Sequence, residues 1–362
     1  MDREEERRAV FRFVLDKLVS GEFQTGGRLP TETELSKLFG LSRYHVHRAL
    51  GEFFGRGVLV CRRKGGLSVS RDLFDCEKRA FSDSCSAKVL LINHYPPQFK
   101  WSVVHINEVF FAALEKGLAA AGLELVCEDI PRGSAWESVP RIARTHVEKH
   151  RPRAVIVIAG GRIFRHLLEF YYLLHDKVFV YTRSGFIEGV PLLSTVGIAN
   201  CLDGVAAAET AFAAGAEKLL FCYRSDSPYV MKWQMERRCG VQLCLRRHSS
   251  GQAYVDDFPV SGDFPFTVPR KTTALIAHND ELAAELIDAG RRNGLEPGRD
   301  YKIIGFGDDP RFREYELTTL RPDLPRIGSE LAAAVVQSCT VSGRPPVISK
   351  LVPSIPVRRR TL

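Results

Sequence analysis

The residues with the types and spacing to do chemistry in this chain are mostly cations, and they are crowded. From Leu41 to Arg71, seven basic residues (Arg43, Arg48, Arg56, Arg62, Arg63, Lys64 and Arg71) stand against Glu52 alone, a net +6 within 31 residues. Such a density suits an array of phosphates, whose counterions it displaces. The run Ser42-Arg43-Tyr44-His45-Val46-His47-Arg48 adds side chains that can hydrogen-bond base edges or phosphates. A second possible chemistry is metal binding by Cys239, Cys244 and His248, but no further CxxC or HxxxH supplies the remaining ligands. No metal and no cofactor is expected. The motifs GxGxxG, Walker A, GxSxG and HExxH do not occur, which speaks against an enzyme.

The rest of the composition fits this emphasis. The 362 residues exceed one ordinary core, and 45% hydrophobic with 26% charged residues describes a globular chain of net charge +8. No stretch approaches the roughly 20 apolar residues that span a bilayer. The segment MDREEERRAV has no apolar run of the kind a secretory signal needs, so a cytoplasmic location without membrane contact is expected. The nine cysteines lack paired spacing and several sit in apolar runs, as free thiols do.

The basic run belongs to a small module. Residues 7–19 place Val10, Phe11, Val14, Leu15 and Leu18 on one helical face, ended by Gly21. Thr31 and Glu34 form a capping box opening a second helix, which closes at Gly40. Ser42 caps a third helix whose Val46, Leu50 and Phe53 or Phe54 face inward. VLVCRR, KGG and LSVS then read as a hairpin with Arg62, Arg63, Lys64 and Gly65 at its tip. This is a winged helix-turn-helix.

The string GGRLPTETELSKLFGLSRYHVHRAL, with the wing after it, closely resembles the DNA-binding domain of the GntR family. The resemblance implies DNA contacts from Arg28, Thr31, Ser42, Arg43, Tyr44, His45, His47, Arg48, Arg62, Arg63, Lys64 and Gly65, with Arg43 foremost. Thr33, His47 and Lys64 depart from the family's usual residues. Neutral His cannot grip guanine as Arg does, so an operator unlike the family's common ones is expected.

Residues 72–86 lack a period and read as a linker, separating domain 1–71 from domain 87–362. KVLLIN, LELVCED, RAVIVIAG and KVFVYTRS read as strands, with helices at NEVFFAALEKGLAAAG, VPRIARTHVEKH and HLLEFYYLLH between them. The alternation restarts with the helix NCLDGVAAAETAFAAGA, and VQLCLRR reads as a possible strand. The fold class is thus α/β, two-lobed and doubly wound, after an α+β winged module. Lobe 1 is expected to take about 87–181 and 309–340, and lobe 2 about 182–308 and 341–362.

The stretch TALIAHNDELAAELIDAGRRNGLEPGRDYKIIGFGDD, with LTTLRPDLP after it, resembles the effector domain of LacI/GalR-type repressors, a periplasmic-binding-protein-like fold. The resemblance implies an effector site from Asn93, Phe110, Phe111, Arg183, Asn200 and Asp280. Each also has a plainer reading: Phe110 and Phe111 as core, Asn93 and Asn200 as turn or cap residues, Asp280 as an N-cap. Val205 stands where sugar-binding members carry Arg, and SDSPYVMKWQME lacks the family's RxxGf string. The expected function is a ligand-responsive regulator, a repressor of carbohydrate-utilisation genes acting as a homodimer on a palindromic double-stranded DNA operator, with a sugar as effector. Two alternatives stay open. The pocket senses a non-sugar metabolite or serves dimerisation only, or the chain is a solute-binding protein, which would need an export signal.

Overall fold

The computed structural model describes residues 3–62, 66–73, 86–94, 108–131, 134–159, 175, 177–182, 193–224, 232–248, 256–260, 272–340 and 347–362. Arg63, Lys64, Gly65 and Arg183 lie outside the described residues, as does most of the HLLEFYYLLH segment.

The N-terminal module contains α1 (Arg3–Val19), β1 (Arg28–Leu29), α2 (Glu32–Phe39), α3 (Arg43–Gly55), β2 (Leu59–Arg62) and β3 (Gly66–Val69). Val10, Val14 and Leu15 of α1 meet Leu35 of α2, and Val46, Leu50 and Phe53 of α3, in one core. Phe11 stacks on Phe53 at 4.6 Å between ring centroids. The three strands form an antiparallel sheet in the order β1-β3-β2, which is the wing. The module runs past residue 71. Leu73 is buried in the same core, and Asp72 accepts hydrogen bonds from the Thr25 hydroxyl (2.7 Å) and amide (3.2 Å).

Two six-stranded sheets follow. The first uses β4 (Lys88–His94), β5 (Glu124–Asp129), β6 (Ala154–Ala159), β7 (Val178–Thr182), β8 (Ser194–Ile198) and β14 (Ser349–Val352) in the order β14-β8-β7-β6-β4-β5, all parallel. Helices α4 (Glu108–Ala119), α5 (Val139–His150) and α9 (Leu324–Cys339) belong with it. The second uses β9 (Lys218–Arg224), β10 (Asp256–Val260), β11 (Thr273–Ala277), β12 (Lys302–Phe306), β13 (Thr318–Arg321) and β15 (Ile355–Val357), in the order β10-β9-β11-β12-β13-β15. It carries α6 (Asn200–Ala213), α7 (Lys232–His248) and α8 (Asp280–Arg292). Its pairs are parallel except β13 with β15.

These sheets correct the expected division of the lobes. The chain crosses between them at 198–200, 321–324 and 352–355, not near 181, 308 and 340. Five short strands of these sheets, β8, β10, β13, β14 and β15, were not among the expected ones, because none is longer than five residues, too few for a period to show. The VQLCLRR segment is helical and completes α7. Trp233, Arg237, Gly240, Val241, Cys244 and Leu245 recur every three or four residues along one buried face, a period no strand can satisfy.

Close helix contacts hold each lobe. In the second, a Cβ on Gly240 would sit 1.9 Å from the Cys201 carbonyl oxygen, and one on Gly204 would sit 2.0 Å from the Arg237 carbonyl oxygen. Helices α6 and α7 therefore touch backbone to backbone. In the first, Gly328 of α9 lets the Phe110 carbonyl approach to 2.6 Å of where a Cβ would be. Gly204→Ala and Gly240→Ala are each expected to push α6 from α7 and cost at least about 2 kcal/mol, read from urea midpoints. Gly51, in the exposed interior of α3 with nothing within 4 Å, is the opposite case. Gly51→Ala should raise stability by about 0.5–1 kcal/mol.

Candidate DNA interface and effector site

Helix α3 starts where Ser42 turns an extended backbone into a helix, its hydroxyl accepting from the His45 amide at 3.4 Å. With Val46, Leu50 and Phe53 buried, Tyr44 and Arg48 fall on the opposite face, and Arg43 in the first turn and His47 at its flank are exposed as well. Tyr44 is 64% exposed, unusual for an aromatic unless it has something to meet. Arg28 on β1 is exposed beside Gly66 of the wing.

Several candidate side chains are already engaged within the module. The Thr31 hydroxyl accepts from the Glu34 amide at 3.2 Å, and the Glu34 carboxylate accepts from the Thr31 amide at 2.7 Å. That capping box holds Thr31 to the start of α2, and the same hydrogen bonds lower the Glu34 pKa. His45 is half-buried, and its Nδ1 is shielded without a hydrogen-bond partner among the described residues. His47 meets the Glu32 carboxylate at 2.7 Å and stacks on Phe54 at 5.2 Å. Arg62 donates across the hairpin to the Ser68 hydroxyl at 3.0 Å. Of the basic run, Arg56 pairs with Glu52 at 3.0 Å, and Arg71 donates to the Arg56 and Asp72 carbonyls at 2.9 and 3.1 Å. Those two cations secure the module, so Arg43 and Arg48 carry the exposed positive charge of the helix face.

The expected effector residues separate into three situations. Asn93, next to last in β4, donates to Asp129 at 2.9 Å, while its own Oδ1 is shielded without a hydrogen-bond partner among the described residues. Phe110 is fully buried in the first lobe's core, 5.5 Å from both Phe111 and Tyr181, because its position on α4 faces the sheet. It is core, not a ligand wall, and the half-buried Phe111 packs against that same core. Asn200 and Asp280 lie in the second lobe, and both are buried. Asn200 donates to Glu236 at 3.0 Å and accepts from Arg237 Nε at 3.1 Å.

Asp280 opens α8, but the N-cap is its neighbour: the Asn279 side chain accepts from the Leu282 amide at 2.9 Å. The Asp280 carboxylate accepts from the Thr319 hydroxyl at 2.6 Å and from the Asp309 amide at 2.8 Å. It ties β13 to the turn after β12, and Gly305 leaves room for it. Each oxygen thus accepts one bond from the protein itself, so Asp280 holds the fold together whether or not it also meets a ligand. Burial pushes its pKa up to about 6, aided by Asp308 and Asp309 and opposed by the two hydrogen bonds.

A feature missed in the sequence supplies what seemed absent. Arg237-Arg238-Cys239-Gly240, directly after SDSPYVMKWQME, has the Arg-x-x-Gly spacing. Arg237 is 4% exposed and lies between the rings of Trp233 (4.7 Å) and Phe306 (4.4 Å). Its Nη1 donates to the His278 carbonyl, just past β11, at 2.7 Å. Arg237 thus joins the start of α6, the inner face of α7 and the C-terminal ends of β11 and β12. Ligands of open α/β sheets bind at such strand ends. Next to it, the buried Asp203 accepts from the Ser354 amide (2.8 Å) and hydroxyl (2.6 Å), and burial raises its pKa. The first and third crossings between lobes are thereby bonded to each other.

Among the described residues no cluster of three or more His, Cys, Asp or Glu side chains could hold a metal. Cys239 is exposed and Cys244 buried on α7. Among the same residues no helix is long and apolar enough to cross a membrane.

A basic winged helix-turn-helix followed by a two-lobed parallel-sheet body defines a class, that of DNA-binding regulators. Residues 7–69 match the family "Bacterial regulatory proteins, gntR family", and residues 209–362 match the "Periplasmic binding protein-like domain". The chain is a transcriptional regulator that joins a gntR-type DNA-binding domain to a periplasmic-binding-protein-like domain. It is 21% identical over 352 residues to the arabinose metabolism transcriptional repressor of Geobacillus stearothermophilus, covering 90% of this chain and 88% of that one. It is 30% identical over 135 residues to the HTH-type transcriptional regulator reg1 of Streptomyces lividans, 35% of this chain and 36% of the regulator's length. Among solved structures, a transcriptional regulator CelR–cellobiose complex superposes with a TM-score of 0.58 at 16% identity, over 92% of this chain and all of that one. The lac repressor dimer bound to operator and the anti-inducer ONPF gives 0.56 at 16% identity, over 80% and 98%.

The raised Asp280 pKa makes a signed prediction. Between about pH 4 and 6 the folded state binds more proton than the unfolded one, so this group's contribution to stability falls as pH rises. The stability of the wild type relative to Asp280→Asn should therefore be greater at about pH 4 than at about pH 7, on either side of that window, compared by urea midpoints. Asp280→Ala, which orphans the Thr319 hydroxyl and Asp309 amide, should cost about 2 kcal/mol or more at either pH.

Proposed function

We propose that the protein represses its target genes as a homodimer, with α3 in the major groove and the wing along the phosphates of a palindromic operator. The observation that carries this reading is the exposed face of Arg43, Tyr44, His47 and Arg48 on the helix capped by Ser42, flanked by the wing. Dimerisation follows from size. A single small module buries too little DNA surface for tight, specific binding, and two-fold symmetry matches a palindrome. Arg43 and Arg48 serve as direct contacts, with Arg63, Lys64 and Gly65 at the wing tip. His47, braced by Glu32 and Phe54, presents a single imidazole edge where an arginine fork would read guanine, which supports an unusual operator.

A sugar or sugar derivative is the proposed effector, bound between the lobes at the strand ends and shifting their closure. Support comes from the aromatic and guanidinium cluster of Trp233, Arg237 and Phe306, and from Asn93 across the chain in the first lobe. The arabinose repressor and the cellobiose complex among its relatives agree with that chemistry. One observation favours a second reading, a non-sugar metabolite. Asn200 and Asp280, which the LacI/GalR resemblance places on the ligand, are held by the protein itself. The protein is proposed to act in the cytoplasm, where its operator is, and to catalyse no reaction.

Arg43→Ala is expected to weaken operator binding by at least ten-fold (about 1–3 kcal/mol) in a gel shift at physiological salt; near-wild-type affinity would remove α3 from the reading groove. Light scattering should show a dimer on operator DNA, and a monomer with and without DNA would sink the paired-wing mechanism. A thermal-shift screen of sugars against other metabolites decides the effector class, because a ligand stabilises the folded state it binds.

A further inference from the structure

Two thiols outside the regulatory reading meet at the α6–α7 crossing. Cys201 is the second residue of α6, and Cys239 lies on α7 next to Gly240. The missing side chain of Gly240 lets its backbone reach the Cys201 carbonyl, where a Cβ would stand only 1.9 Å away. The residue beside Gly240 is thereby carried up to the Cys201 backbone, near enough for Cys239 to help raise the Cys201 pKa. Both are free, with Cys239 exposed and Cys201 half-buried. The other described cysteines lie elsewhere: Cys61 on β2, Cys127 on β5, Cys222 on β9, Cys244 further along α7 and Cys339 on α9.

We propose that Cys201 and Cys239 form a peroxide-oxidisable pair that closes into an intrachain disulfide, clasping α6 to α7. A disulfide requires Cα atoms about 4.4–6.8 Å apart, and the backbone contact of Gly240 with Cys201 brings the neighbouring Cys239 toward that range. The oxidant is a peroxide. The Cys239 sulfur attacks one peroxide oxygen, forming an S–O bond as the O–O bond breaks; the departing hydroxide takes the thiol proton and leaves as water. The Cys201 sulfur then attacks the resulting sulfenic acid. The S–S bond forms, the S–O bond breaks, and the hydroxyl leaves with the Cys201 proton as a second water. Two thiols are oxidised by two electrons and one hydrogen peroxide is reduced to two waters.

The roles follow from placement. Cys239 faces solvent and meets the oxidant first. Cys201 is the resolving partner, its pKa raised by burial, by Cys239 and by Glu236, so that little of it is thiolate before Cys239 reacts. The clasp would act beside the bonds from Asn200 to Glu236 and Arg237, which span the same two helices. It fixes the second lobe where the chain first enters it.

The test uses the full-length, reduced protein. It is treated with a small excess of hydrogen peroxide, its remaining thiols are blocked with iodoacetamide, and unreduced peptides are mapped by mass spectrometry. The expected result is a linked peptide pair joining Cys201 to Cys239, two hydrogens lighter than the unlinked pair. It should be released by dithiothreitol and absent from Cys201→Ser and Cys239→Ser. Three results would overturn the proposal: both thiols alkylated after peroxide, Cys239 oxidised to sulfinic acid beside an alkylated Cys201, or Cys239 linked to any other cysteine or a second chain. The link is read in the wild-type chain, so the outcome is decisive even if a serine variant misfolds.

Discussion

The second lobe is organised around a cation taken out of water. Burying a guanidinium costs several kcal/mol unless its donors and its faces are matched. Arg237 meets that demand with the Asn200 side chain, the His278 carbonyl and the rings of Trp233 and Phe306. Those partners come from the start of α6, the start of α7, the end of β11 and the end of β12. Matching one cation therefore sets the relative positions of four elements at the edge where ligands of such sheets bind. Asp203, one turn along α6, extends the arrangement to Ser354 and so to the third crossing of the chain. The close approach of α6 and α7 at Gly204 and Gly240 follows, because the guanidinium reaches these partners only from a helix lying almost on α6.

The winged module divides its polar residues between holding itself together and facing outward. Thr31, Glu34, Glu52, Arg56, Arg62 and Arg71 bond to one another or to backbone carbonyls and hydroxyls of the module. Arg43, Tyr44 and Arg48 stay exposed on a helix whose other face is fixed by Val46, Leu50 and Phe53. A net charge counted along the sequence overstates what DNA meets, since part of it is matched locally. The rigid attachment of α3 to α1 through Phe11 and Phe53 matters as much, because base reading requires a helix that does not rock.

Local signals made much of this legible. The capping box at Thr31, the αL glycine at Gly40 and the Ser42 cap bond residues within three or four positions, so they are written in short strings. The alternation of apolar runs with amphipathic helices declared two parallel sheets for the same reason. The effector candidates Phe110 and Asp280 fared worse. Their types and positions were right for a pocket wall, but the direction each faces depends on packing partners far along the chain, α9 for one and Thr319 for the other.

The sequence by itself determined the class of protein: a basic recognition helix with its wing, joined to a doubly wound body. Local propensity and hydrophobic period suffice for that, because each element is decided by its own neighbours. Only the tertiary structure decided which strands share a sheet, since β8, β14 and β15 are too short to announce themselves and pair across long separations. It likewise decided that Arg237 serves the strand ends and that Asp280 serves the fold. Burial and hydrogen-bond saturation are properties of a residue's surroundings, and those come from parts of the chain that meet only on folding.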